Sequence, residues 1–228
     1  QAYSRVACVT GGAARIGKAI VETLHSNGFN VIIHCNKSVD KANALAEQLN
    51  NKQSNSAAVL QAELTDLSKV ALLAKQALDT FGGIDILVNN AGTSSTSRFE
   101  DMSNEQMTAD IELKVYGAVY GTRHALPYLK KSDSGVIINT TTPGGKAPAA
   151  GTQPTALSRA AGISLTKTWS KELAEFSIRV NTICIGLIKS GQHRASWARM
   201  HEDNPDYSLD DHWQKMSQVV PLGRVGEA

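Results

Sequence analysis

Thr10-Gly11-Gly12-Ala13-Ala14-Arg15-Ile16-Gly17 follows directly on the apolar run Val6-Ala7-Cys8-Val9, and the order of these two segments decides the fold. Four apolar residues are enough for a short buried strand. Beyond the glycines, Ile16, Ala19, Ile20 and Leu24 recur at helical spacing until Asn27-Gly28 stops the helix. Strand, glycine-rich turn and helix in this order is the context a dinucleotide fingerprint requires. Glycines let backbone N–H groups approach a pyrophosphate, which then sits on the positive end of the helix.

The alternation continues along the chain. Val31 to Ile33 reads as a second strand and residues 39–50 as a helix bearing alanines and leucines. Ala57 to Gln61 predicts a third strand, Leu67 to Phe81 a third helix, and Ile84 to Val88 a fourth strand that runs into Asn89-Asn90-Ala91-Gly92. Strands alternating with helices imply a parallel sheet covered on both faces, a doubly wound α/β/α arrangement of Rossmann type. Ligands then sit beyond the carboxyl ends of the strands, where these loops fall. A chain of 228 residues is one domain of this class.

Cofactor choice follows from charge. An NAD site places an acidic residue at the end of the second strand to hold the ribose 2′-hydroxyl. Here that stretch reads His34-Cys35-Asn36-Lys37-Ser38, with no carboxylate before Asp40. Arg15 and Lys37 offer cations and Ser38 a hydroxyl donor, a set suited to a 2′-phosphate, so NADP(H) is expected in preference to NAD(H).

Composition narrows the field. A formal net charge of +2 leaves no strong basic face for nucleic acid. No apolar stretch is long enough to span a membrane and no signal peptide is recognisable, so a cytoplasmic location is expected. Cys8, Cys35 and Cys184 lie in or at the ends of predicted strands, which reads as free, mostly buried thiols in a reducing compartment. His193 and His201 are too far apart on one helix to share a metal, and no other cluster has metal-ligand spacing, so no metal is expected.

With these motifs in hand, the chain resembles the short-chain dehydrogenase/reductase family. The Gly11–Gly17 turn, Asn89-Asn90-Ala91-Gly92, and Arg179-Val180-Asn181 ahead of a sixth strand carry the likeness, which covers essentially the whole chain. The opening, with Arg15 where many members have glycine, looks most like the pteridine-reductase branch. The resemblance implies that Gly11, Ala14, Arg15, Ile16 and Gly17 cradle the dinucleotide, with Asn36, Lys37 and Ser38 at its adenosine end. Glu63, where the family more often has aspartate, and Leu64 would flank the adenine. Asn90, Ala91 and Gly92 would line the ribose and nicotinamide side. Gly186, Ile188 and Ser190 would complete the site after the sixth strand, where the usual proline is replaced by Ile185. The resemblance also implies a small-molecule substrate and a homodimer or homotetramer. The sequence ends at Ala228, where the family continues into a helix and a seventh edge strand.

The active site that the resemblance implies is altered at every position. The family combines an asparagine on the fourth helix, a serine after the fifth strand, and Tyr-x-x-x-Lys on the fifth helix. Here the fifth strand, Val136 to Asn139, is followed by three threonines, and the aligned positions are Lys114, Thr142, Thr155 and Arg159. Thr142 keeps a hydroxyl that can bond a carbonyl. Arg159 keeps the charge that holds ribose hydroxyls, but it cannot lend a proton. Thr155 cannot replace a phenol that titrates near pH ~10, and loss of a placed general acid costs about 10²- to 10⁴-fold in rate. Positioning of donor and acceptor, worth about 7–11 kcal/mol, is independent of that loss. Lys114 is the candidate substitute if burial depresses its pKa; the alternative is that it pairs with Glu112 or a neighbouring helix. Tyr116 and Tyr120 share a helix face and read as packing residues, and Lys146 as solvated.

Residues 190–218 would shape a substrate lid. Ser208 caps a helix carrying Leu209, Trp213 and Met216, and with Trp197 and Met200 these form a mixed apolar surface. It either covers a hydrophobic substrate or packs the segment in place. Two functions fit: an NADP(H)-dependent oxidoreductase acting on a carbonyl or hydroxyl with an atypical active site, or a catalytically inactive nucleotide-binding relative serving as sensor or scaffold.

Overall fold

The computed structural model describes residues 5–228, without the side chains of residues 73, 74, 77, 78 and 192. Its strands are β1 (Val6–Val9), β2 (Asn30–Cys35), β3 (Ala57–Gln61), β4 (Ile86–Asn89), β5 (Thr96–Ser97), β6 (Val136–Thr141), β7 (Gln153–Pro154) and β8 (Arg179–Cys184). Its helices are α1 (Arg15–Ser26), α2 (Val39–Lys52), α3 (Leu67–Phe81), α4 (Asn104–Ile111), α5 (Gly117–Leu129), α6 (Thr155–Glu172), α7 (Gly191–Asp203) and α8 (Leu209–Ser217). Six strands form one parallel sheet in the order β3-β2-β1-β4-β6-β8, the doubly wound sheet expected from the sequence.

Side chains alternate across this sheet and build a core on each face. Val6, Cys8, Ile32, Leu87 and Ile137 point to one face and join Leu129, Leu173 and Ile178. Ala7, Val9, Ile33 and Val88 point to the other, where Val21 of α1 and Leu45 and Leu49 of α2 meet them. Strands apolar on both faces read as continuous apolar runs, which is why they were legible in the sequence.

The strand order reverses between β1 and β4, and loops diverge there to leave a crevice. The two loops are stitched together. Thr10 Oγ1 accepts the N–H groups of Asn90 and Ala91 at 2.9 and 3.0 Å. The Asn90 amide donates to the carbonyls of Thr10 and Gly11 at 3.0 and 3.3 Å. The Asn90 side chain thus shapes the glycine turn.

The structure refines the sequence reading at three points. The helical stretch before the fifth sheet strand, for which the sequence set no bounds, is broken: α4 passes through a π-helical turn, Glu112–Tyr116, before α5 begins. The fifth sheet strand, β6, runs two residues past Asn139, because Thr140 and Thr141 pair with Ile183 and Cys184 of β8. Cys8 and Cys35 are buried free thiols as expected, but Cys184, at the end of edge strand β8, is exposed. Burial pushes the Cys8 thiol up to about 12, which leaves it inert at neutral pH.

The chain divides into two compact units, one ending at Cys184 and the other spanning Ile185–Ala228. Within the second, Trp213 is buried, with Lys189 Nζ at 6.0 Å and the Arg194 guanidinium at 5.8 Å from its ring centroid. Ser208 caps α8 through a capping box with Asp211. Trp197 Nε1 donates to the Tyr207 carbonyl at 3.0 Å. No helix among the described residues is long and apolar enough to cross a membrane.

Candidate active site

The glycine turn has the geometry of an anion cradle. Gly11 sits at φ +63°, a left-handed conformation that favours glycine. A Cβ on Gly17 would lie 2.1 Å from the Gly11 carbonyl oxygen and 2.7 Å from the Asn90 amide nitrogen, so no side chain fits there. Arg15 also adopts a left-handed backbone, φ +55°, where glycine would be unstrained. Ala14 caps α1 without a side-chain hydrogen bond, and no acidic residue occupies the first turn. The first N–H groups of α1, Ile16 among them, therefore face the turn without a competing carboxylate.

At the end of β2, Lys37 and Ser38 are exposed, as is Arg15. Among the described residues neither cation is in an ion pair. The Asn36 amide donates to Glu63, which fixes the segment after β3 against the end of β2. Leu64 is buried and packs in the core, 3.3 Å from where a Cβ on Gly117 would be. Ala91 and Gly92 continue the loop after β4, and a Cβ on Gly92 would lie 2.9 Å from Arg159 Nη2 and 3.5 Å from Lys114 Cε. Gly92 thus lies over both cations.

The structure brings Lys114, Thr155 and Arg159 together and adds a residue that sequence reasoning missed. Asp110, one turn before Lys114, forms a buried ion pair with it; both side chains are 1% exposed. Of the two pairings considered, with Glu112 or with a neighbouring helix, the partner is Asp110 on the adjoining α4 and not Glu112. The Asp110 carboxylate also accepts the Ser158 hydroxyl at 2.6 Å. Lys114 Nζ donates to Thr155 Oγ1 at 3.0 Å. The i, i+4 spacing of Asp110 and Lys114 was a visible signal for the pair.

Thr155 has no proton to give. Its hydroxyl donates to the Ser95 carbonyl at 2.8 Å and accepts the Ser95 N–H at 2.9 Å as well as Lys114 Nζ. One hydroxyl proton and two lone pairs are thereby used. The adjoining β5–β7 ladder, Thr96 opposite Pro154 and Ser97 opposite Gln153, ties the loop after β4 to the start of α6. Thr155 is accordingly a brace between that loop and Lys114.

Burial pushes the Lys114 pKa down and the nearby Arg159 charge adds to this, whereas the bond and charge of Asp110 oppose it. Arg159 Nη1 donates to the Thr140 carbonyl at 2.8 Å, and its Nε is buried without a hydrogen-bond partner among the described residues. Burial lowers the Arg159 pKa, with Asp110 opposing, yet a guanidinium stays charged. Thr142 follows β6 on a loop that lies against α6; a Cβ on Gly145 would meet the Arg159 carbonyl carbon at 2.8 Å. Thr142 precedes a short 3-10 turn, Pro143–Gly145, which its side chain does not cap. Lys146 is exposed, and Tyr116 and Tyr120 stack on each other with centroids 5.8 Å apart.

The remaining predicted residues lie in the second unit. Ser190 caps α7 without a side-chain bond, Ile188 bridges to Gly226, and a Cβ on Gly186 would meet open space among the described residues. Among the described residues no group of three or more His, Cys, Asp or Glu side chains is placed to hold a metal ion.

Comparison with known proteins bears on the family and the fold. Residues 5–201 match the family model of short chain dehydrogenases. Oxidoreductase UcpA of Salmonella typhimurium is 30% identical over 224 residues, covering 98% of this chain and 82% of the relative. L-sorbose reductase of Gluconobacter frateurii, solved with NADPH and L-sorbose, superposes with a TM-score of 0.93 at 26% identity, over 98% of this chain and 85% of that one. An NADPH-bound short-chain oxidoreductase of Pseudomonas aeruginosa, described as containing an atypical catalytic center, gives 0.87 at 28% identity over 99% and 86%. The chain belongs to the short-chain dehydrogenase/reductase family.

Proposed function

We propose that this protein is an NADP(H)-dependent oxidoreductase that interconverts a carbonyl and a hydroxyl, with Lys114 as proton source in place of the family tyrosine. The observation that carries this reading is the buried Lys114 ammonium, held by Asp110 and Thr155 beside Arg159. It stands at the residue that replaces the tyrosine, and it is a cation whose surroundings favour release of a proton.

The residues present fit a nicotinamide dinucleotide. The Gly11–Gly17 turn and the uncapped start of α1 offer N–H groups to a pyrophosphate. Arg15 and Lys37, exposed and in no ion pair among the described residues, suit a 2′-phosphate, and the NADPH seen in two structural relatives favours the same choice. When bound, the cofactor supplies or accepts the hydride. In the reductive direction Thr142 orients the carbonyl oxygen, Lys114 transfers a proton to the developing alkoxide, and Asp110 keeps the ammonium in place. Arg159 holds ribose hydroxyls through its free guanidinium edge. The oxygen gains one proton from Lys114, which is restored from solvent.

The test is a fluorescence titration with NADPH and NADH, followed by turnover on a carbonyl panel that includes L-sorbose and a pterin. Preferential binding of NADPH, lost on Lys37→Ala with Arg15→Ala, supports the cofactor reading. A rate lowered about 10²- to 10⁴-fold in Lys114→Met at unchanged NADPH affinity supports the proton route; unchanged turnover in that variant refutes it. The alternative, a nucleotide-binding relative without turnover, draws on the 1% exposure of the Lys114–Asp110 pair. Its signature is tight NADPH binding with no oxidation on any substrate of the panel.

A further inference from the structure

We propose that His34 is a positioning residue for dinucleotide binding, holding the glycine turn by its ring and its carbonyl together. The inference rests on the reading that the Gly11–Gly17 turn binds the dinucleotide. His34 lies at the end of β2 with 2% of its surface exposed. The Gly11 N–H donates to its Nδ1 at 3.1 Å, and the Gly12 N–H donates to its carbonyl at 2.9 Å. One residue therefore grips two successive amides of the turn.

The ring has a single state compatible with these contacts. A backbone N–H at Nδ1 requires a lone pair there, so the proton sits on Nε2, which donates to the Ala62 carbonyl at 3.0 Å. The imidazole thus spans from the turn after β1 to the segment after β3. Burial pushes its pKa down, with the Ala62 carbonyl and the Glu63 charge opposing, which keeps Nδ1 an acceptor at neutral pH. Gly11 occupies a left-handed conformation, φ +63°, and without an acceptor its amide is free to turn away. The first turn of α1 begins four residues on, so any rotation at Gly11 carries the phosphate-facing amides with it.

Two substitutions separate this role from simple packing. His34→Asn places Oδ1 where Nδ1 stands and keeps the acceptor for Gly11, while losing the bond to Ala62. His34→Gln keeps a donor for Ala62 and loses the acceptor. Each variant is measured by NADPH titration and by hydrogen exchange of the Gly11 amide in the nucleotide-free protein. His34→Gln is expected to bind NADPH about tenfold more weakly, the loss of one hydrogen bond, with Gly11 exchange accelerated. His34→Asn is expected to stay within about threefold of the wild type with Gly11 still protected. Equal binding by the two variants, or Gly11 protection unchanged in His34→Gln, overturns the proposal. If the wild-type protein binds neither NADPH nor NADH while Gly11 is protected through His34, the dinucleotide reading itself fails and the assigned role falls with it.

Discussion

Removing Asp110 should destabilise the protein in a way that depends on the charge of Lys114. Both side chains are 1% exposed, and Asp110 is the only carboxylate paired with that ammonium among the described residues. Breaking a buried pair from one side leaves a buried charge without compensation, at a cost of about 3–5 kcal/mol. Ser158 and Thr155 retain other acceptors, the Thr155 and Ser95 carbonyls, so the loss falls mainly on Lys114. In Asp110→Ala the opposing effect of the carboxylate disappears, and burial and Arg159 push the Lys114 pKa further below its ordinary value.

The sign of the pH dependence follows. Between the lowered folded pKa and about 10.4 the unfolded chain binds more protons than the folded one, so stability of the variant rises with pH. Urea unfolding of wild type and Asp110→Ala, followed by circular dichroism at pH 7 and pH 9.5, measures the difference. A penalty of about 3 kcal/mol or more at pH 7 that shrinks at pH 9.5 is expected, and Asp110→Leu with Lys114→Met should recover most of it. A pH-independent penalty under about 1 kcal/mol would show that the pair is not desolvated as described.

Further outcomes follow from individual contacts. Gly17→Ala forces a methyl to 2.1 Å from the Gly11 carbonyl; dinucleotide binding should be abolished with a stability loss above about 3 kcal/mol, read by titration and thermal unfolding. Thr155→Val leaves the Ser95 N–H and one Lys114 proton without their acceptor, at a cost of about 1–3 kcal/mol in urea unfolding. His34 has a lowered folded pKa, with Glu63 the opposing charge. Stability should therefore be intact above about pH 6.5 and fall as pH drops towards the folded value, with a shallower slope in His34→Asn.

Much of the fold was legible because its strands are apolar on both faces. β1, β3 and α3 occupy the predicted residues, and β2, β4 and β6 differ only at their ends. The ends were missed where pairing, not apolarity, extends a strand: Thr140 and Thr141 are polar, yet β8 supplies their hydrogen-bonding edge. The break between α4 and α5 left no mark in side-chain periodicity, since a π turn shifts the register by one residue without a proline or glycine at its start.

The candidate site divides along the same line. The sequence by itself determined that a glycine turn follows β1 and that no carboxylate closes β2, because each is a matter of residue identity at a local spacing; Lys114, Thr142, Thr155 and Arg159 were singled out only through the resemblance to the family. Only the tertiary structure decided that Thr155 is saturated by Ser95 and Lys114, that Asp110 neutralises Lys114, and that His34 holds the turn. Those relations join residues 4 to 60 positions apart, and whether a hydroxyl or an amine has a proton to offer depends on partners that only the folded chain brings within hydrogen-bond reach.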